Sequence, residues 1–352
     1  MMIFRRWAVL WFGFVLVFLS FTGTAPASQD IYPYRFPELS NPNAVGGRLY
    51  LQPLGDRDHR VRENTEITVS FGSATDYNVH FVETRGDREL TVNTNTYSLS
   101  VAHGTTLFGR PLEAGGVLRS YQDMKKTWGS ELVKNYHELF SDGFGEVPPD
   151  GQYYGAIGDN ETRVIGENRE LYLNTLQVYV KTQLLRERPG SALPDLAVKL
   201  SGRIPLSGKP FDTPGIGLSL GLAKKLSPAF SFIGSTGWLF QDLTARDFNA
   251  DSLRVRHFAF DLFSGIVWDM GEAEGWYSQL GMRWASERIS YRANPDSAGP
   301  SYVVHFGPVY RTRTKEGRTL EFFLSCSEDI PGLGHGLEPD VAFYTGVVLG
   351  FP

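Results

Sequence analysis

Beyond residue 60 the chain alternates apolar and polar side chains with a period of two. Ile67, Val69 and Phe71 share one face of a segment, as do Tyr97, Leu99 and Val101. Leu196, Val198, Leu200 and Ile204 oppose Lys199, Ser201 and Arg203; Ile216, Leu218, Leu220 and Leu222 oppose glycines and Ser219. The pattern recurs in Phe258-Phe260-Leu262-Ile266-Trp268, Trp276-Leu280-Met282-Trp284, Tyr302-Val304-Phe306-Tyr310, Leu320-Phe322-Leu324 and Val341-Phe343-Val347-Leu349-Phe351. Such alternation predicts strands with one apolar and one polar face. Twelve are expected, over 62–72, 89–103, 106–118, 170–185, 194–205, 214–224, 228–240, 253–268, 275–288, 301–312, 318–327 and 340–351.

The connectors alternate too. One set is mostly short: Gly104-Thr105, 225–227, 269–274 and 314–317, with 186–193 as a longer member. The other set is mostly long: 73–88, 119–169, 241–252, 289–300 and 328–339, with 206–213 as a shorter member. Short turns at one end and long loops at the other, with an even strand number, are the signature of a transmembrane antiparallel β-barrel. In that fold the apolar face meets lipid and the polar face lines an enclosed lumen. Trp238, Trp268, Trp276, Trp284, Tyr302 and Tyr310 fall near strand ends, where interfacial aromatics belong. A soluble β-sandwich would share the alternation, but not the regular difference between the two sets of connectors.

The start of the chain reads differently. Arg5 and Arg6 precede an apolar run from Trp7 to Phe21, and Ala25-Pro26-Ala27 supplies small residues for cleavage. Residues 1–27 are therefore expected to be a secretory signal peptide, the alternative being an uncleaved anchor. Residues 28–61 then form an N-terminal periplasmic segment, and 62–352 the barrel with an insert at 119–169. After Ala27 no run reaches the ~20 apolar residues of a spanning helix.

Within the insert, Tyr121, Met124, Trp128, Leu132, Tyr136 and Leu139 recur at spacings of three and four. That stripe predicts a helix packed across the barrel mouth or folded inward. Tyr121, Trp128, Tyr136 and His137 are thus candidate gating or plug residues.

Composition narrows the chemistry. With 34 basic and 39 acidic residues the net charge is −5, which becomes −7 once Arg5 and Arg6 are removed. This disfavours nucleic acid as a partner, which needs a concentrated basic face. One cysteine excludes an intrachain disulfide framework and a Cys-based zinc cluster. Gly217-Leu218-Ser219-Leu220-Gly221 matches a nucleophile-elbow pattern, yet lies inside an alternating strand and lacks the strand-to-helix turn that chemistry requires. The seven histidines include no H-E-x-x-H pair, so neither metal nor cofactor is expected.

By phase, Lys199, Arg203, His257, Asp261, Arg283, His305, Arg311 and Glu321 face the lumen. Mixed charge there could line a water path or form ion-pair ladders that fill the barrel. His257, Asp261, His305 and Glu321 could also converge as a hydrolytic site, although phase alone supplies no geometry.

Several short motifs bear a family likeness. Asn41-Pro42-Asn43, Glu89 to Gly104, Asn135-Tyr136-His137-Glu138-Leu139-Phe140 with Phe144-Gly145, Asp195 to Pro205, and Ser327-Glu328-Asp329 with Pro339-Asp340-Val341 resemble the bacterial domain of unknown function 3187. The resemblance implies an outer-membrane barrel and no established activity. The expected function is a narrow pore or a small-molecule binding or transport channel. The alternatives are a structural or envelope-maintenance barrel without an open path, and an outer-membrane hydrolase. The expected partners are outer-membrane lipid, the barrel-assembly machinery and a small-molecule permeant.

Overall fold

Fourteen strands in the computed structural model form one antiparallel sheet, and twelve of them close on themselves. The structure describes residues 61, 65–81, 88–108, 110–123, 152–157, 161–167, 172–188, 190–206, 214–241, 253–255, 258–269, 274–286, 289–291, 294–298, 301–329 and 341–351. The barrel strands are β1 (Thr65–Phe81), β2 (Arg88–Leu107), β3 (Arg110–Asp123), β6 (Tyr172–Leu185), β7 (Asp195–Pro205), β8 (Gly215–Lys225), β9 (Phe230–Gln241), β11 (Phe258–Asp269), β12 (Gly275–Ala285), β15 (Ser301–Arg313), β16 (Thr319–Asp329) and β17 (Val341–Phe351). Each pairs with its neighbours in sequence order. Closure comes from β1 against β17, in register from Thr65↔Phe351 to Thr75↔Val341. The strands are long enough to span a bilayer core, which takes about 9–11 residues.

Two faces follow from the pleat. Outward lie Val69, Leu99, Leu262, Leu280, Phe306 and Leu324, all large, apolar and exposed. Inward lie Glu66, Glu113, Gln177, Ser219, Asp261, Gln279 and Ser325, all polar and buried. A water-soluble sandwich would show the reverse, because its apolar face would be its core.

Aromatic rings gather in two outward belts. Near the short turns, Phe230 stacks on Trp268 and Trp276 meets Tyr310 at a tilt, with centroids 6.2 and 5.1 Å apart. Near the long loops, Phe260 sits between Trp238 and Trp284, and Phe240 meets Phe258.

Several boundaries depart from the sequence expectation. Gly104-Thr105 is not a turn but part of β2; the reversal falls between the paired residues Leu107 and Arg110. Phe108 takes φ 52° there, as a two-residue hairpin demands. The expected strand 253–268 is two: β10 (Leu253–Val255) joins β13 (Ile289–Tyr291) and β14 (Asn294–Ala298) in a small separate sheet, and β11 starts at Phe258. All three strands of that sheet lie between barrel strands in long connections, and β14 lies against β1.

The 119–169 insert also changes. β3 runs on to Asp123, and β4 (Gln152–Ile157) with β5 (Glu161–Glu167) forms a hairpin paired to β2 at Leu90 and Thr91. Tyr121 is therefore a strand residue, paired with Thr96 and Tyr172, and not the head of a helical stripe. Two neighbouring strands satisfy its backbone, which outweighs the helical spacing of the side chains. Trp128, Tyr136 and His137 lie outside the described residues.

Candidate functional site

The inward face of the barrel is built from alternate residues of all twelve strands. Its charged groups come in local arrangements fixed by register. Lys181 on β6 stands opposite Glu113 on β3 and pairs with it at 2.9 Å, both side chains withdrawn from water. The Tyr179 hydroxyl donates to the same carboxylate at 2.9 Å. Lys199, in register with Lys181 across β6–β7, holds its ammonium 5.4 Å from the Tyr179 ring centroid. The ring reaches this position because Gly115 lies opposite it; a Cβ there would come within 2.5 Å of the phenol.

On the far wall, Arg311 of β15 donates through Nε and Nη2 to Glu321 of β16 at 2.9 and 2.8 Å. Its guanidinium also lies 5.0 Å over the Tyr277 ring. Arg283 of β12 grips Asp261 of β11 in the same two-pronged way, at 2.7 Å from Nε and 2.5 Å from Nη2. In each pair both nitrogens converge on a single carboxylate oxygen, and contacts assisted by charge in this way are stronger than neutral ones. His305 of β15 bonds through Nδ1 to the Ser327 hydroxyl at 2.5 Å and turns its ring edge toward Phe263. Around it, His305 Nε2, both amide atoms of Gln279 and the Ser325 hydroxyl are buried without a hydrogen-bond partner in the protein.

Seven of the eight residues expected to face the lumen are therefore inward and buried: Lys199, Arg203, Asp261, Arg283, His305, Arg311 and Glu321. His257 lies outside the described residues. The structure brings together Arg283 with Asp261, and Arg311 with Glu321. The described members of the suggested hydrolytic cluster are engaged separately: Asp261 and Glu321 by arginines, and His305 by Ser327. Ser219 of the Gly217–Gly221 motif sits buried in the extended strand β8, with no turn to present it. Among the described residues no three His, Cys, Asp or Glu side chains gather as metal ligands do. The gating candidate Tyr121 is on the inward face of β3, buried in the wall.

Sequence reasoning missed Glu66, Glu113, Arg119, Gln177 and Lys181, all inward and buried. The signal was present for Lys181: Val178 and Val180 alternate with Gln177, Tyr179 and Lys181. For Glu113 and Arg119 it was blurred, because Val117 between them is apolar and inward. A separate apolar concavity of about 550 Å³ opens at the closing seam, lined by Val69, Phe71, Leu99, Leu118, Phe322 and Val347. These are outward residues, so it faces the acyl chains and not the lumen.

The barrel has a match among solved structures. An outer-membrane channel from Pseudomonas putida F1 superposes with a TM-score of 0.55 at 9% identity, covering 83% of this chain and 97% of that one. This chain is an outer-membrane-type β-barrel. The transport unit of the Escherichia coli autotransporter AIDA-I (TM-score 0.47, 9% identity, 91% and 99% covered) and the NanC porin (0.41, 9%, 82% and 99%) are looser matches. No family model and no curated protein matches the chain.

Proposed function

We propose that this barrel is a narrow channel for small polar solutes across the outer membrane, exported through residues 1–27 and inserted by the barrel-assembly machinery. The observation that carries this reading is the inward face: charged and hydrogen-bonding side chains on strand after strand, inside a wall whose outside is apolar. A barrel built only for stability gains little from buried ion pairs, since well-packed apolar residues of similar volume serve as well or better. The same burial makes the path narrow, because inward side chains such as Gln177, Lys181, Gln279 and Glu321 are almost wholly withdrawn from bulk water.

That last feature also favours a second reading, a structural barrel whose ion-pair ladder fills the interior with no path. Planar-bilayer recording of the purified mature protein separates the two. The channel reading expects discrete conductance steps from intact protein, larger after deletion of 124–140. Silence from both proteins, each with heat-modifiable migration intact, gives the structural reading.

A further inference from the structure

Val61 precedes the barrel in sequence yet sits against its inner wall. It lies four residues ahead of Thr65, the first residue of β1. Its backbone N–H nevertheless donates to the Gln183 side-chain oxygen on β6 at 3.0 Å, and the residue is only 6% exposed. Between β1 and β6 the wall holds β2 and β3. Three strand spacings make about 14 Å, and four residues reach about that far at full extension. The paired row Thr65–His103–Ala114–Val180 gives the height, and Gln183 lies three residues beyond Val180 toward the short-turn end. Gln183 follows Gln177 and Lys181 in phase on the inward face and is buried like them. Val61 is therefore held inside the short-turn mouth, three strands away from where β1 begins.

The acceptor is set in advance. The β6–β7 ladder slips between Gln183 and Leu185, and the Gln183 amide nitrogen donates to the carbonyls of Leu185 and Leu196 at 2.7 and 3.2 Å. Two carbonyl acceptors decide which end of the amide carries the hydrogens, so the oxygen is the end turned to Val61. The sequence around Val61 agrees with this placing. From Asp56 to Asn64 it is the only apolar residue, with Arg60 and Arg62 as its neighbours. A run this charged suits a polar mouth and not the hydrocarbon outside the wall. The burial of its one valine beside a preset acceptor marks a docking point.

We infer that Val61 and Gln183 form a tether that draws the chain ahead of β1 across the short-turn mouth and narrows the conducting path there, so that releasing the tether widens the channel. The inference rests on the channel reading above and adds to it the residues that set the opening. The contact is one neutral hydrogen bond backed by one valine, a small net gain over the same groups in water. Its release breaks no barrel pairing, because the ladders of β1 begin at Thr65. The tether can thus dock and undock while the wall stays closed.

The test compares the mature protein in planar bilayers with Val61→Pro, which removes the N–H donor and keeps an apolar ring, and Gln183→Leu, which removes the acceptor. Each variant is expected to raise the open probability by roughly two- to tenfold, the equivalent of one net hydrogen bond. The double variant should go no further than either single one, because both remove the same contact. Heat-dependent gel mobility checks that each barrel is closed. A second measurement needs no current. In a Cys326→Ala background, Val61→Cys should react with a charged, membrane-impermeant thiol reagent more slowly than the same protein carrying Gln183→Leu. Unchanged open probability in both variants, or equal thiol reactivity with and without Gln183, overturns the tether and leaves the channel standing. A silent wild type beside conducting variants supports the tether. Silence from all three proteins overturns the channel reading and this inference with it.

Discussion

Arg311 and Glu321 show what a charge inside this wall costs and what holds it. Both side chains are nearly sealed from water, so each ion's solvation is replaced by its partner and, for Arg311, by the Tyr277 ring. Removing one member leaves the other charge buried and uncompensated, which costs about 3–5 kcal/mol, whereas replacing both with apolar residues of similar volume is often neutral. Glu321→Gln is therefore expected to destabilise the barrel more than the double change Arg311→Met/Glu321→Leu. Urea unfolding in lipid vesicles, followed by tryptophan fluorescence, measures both. Equal and small losses would mean that the pair is bathed in water and would reject the tight interior described here. The same logic extends to Arg283 and Asp261, whose geometry is also two-pronged.

At the scale of strands, close approach is set by glycines placed opposite inward rings. On β17, a Cβ at Gly346 would lie 2.5 Å from the Val69 carbonyl oxygen and 2.6 Å from the Phe323 ring. Neither can yield cheaply, since one is backbone and the other is locked between strands. Gly346→Val should cost about 1–3 kcal/mol or more by overpacking. Gly202→Ala, where the nearest atom is 3.9 Å away, should leave stability almost unchanged. The temperature at which each variant loses its folded gel mobility ranks them, and equal behaviour would refute the packing argument. These rings and glycines also explain what the sequence could and could not reveal. Where inward residues are small or polar, as on β8 and β12, the alternation was plain and the strands lay close to their expected limits. Where the inward face holds Val117 and Tyr121 on β3, or Ile233 and Leu239 on β9, polarity no longer marks the face. On β3 the spacing of Tyr121, Met124 and Trp128 then resembled a helix. The ion pairs were legible as phase but not as partners, because pairing depends on register between strands far apart in sequence.

For the whole molecule, closure is the step that everything else depends on. The first and last barrel strands, separated by most of the chain, pair along eleven consecutive positions from Thr65↔Phe351 to Thr75↔Val341. Before that pairing forms, β1 and its neighbours present open edges, and in lipid no water satisfies their N–H and C=O groups. Phe351 holds the end of the seam, where the Arg318 guanidinium lies 5.3 Å over its ring. The seam also lacks redundancy, because β16 and β1 each have only β17 as the partner on that side. Deleting residues 341–352 is therefore expected to abolish the barrel as a unit rather than trim it. The wild-type protein should require detergent for extraction and migrate faster on SDS gels when unheated. The truncated chain should show one mobility, heated or not, and should accumulate as aggregate or be degraded. Phe351→Ala, which keeps the backbone pairing and removes only the ring under Arg318, should retain the heat-dependent shift at a lower transition temperature. If the truncated chain keeps the shift, the β1–β17 seam does not close the barrel, and the enclosed polar interior that supports the channel reading loses its wall.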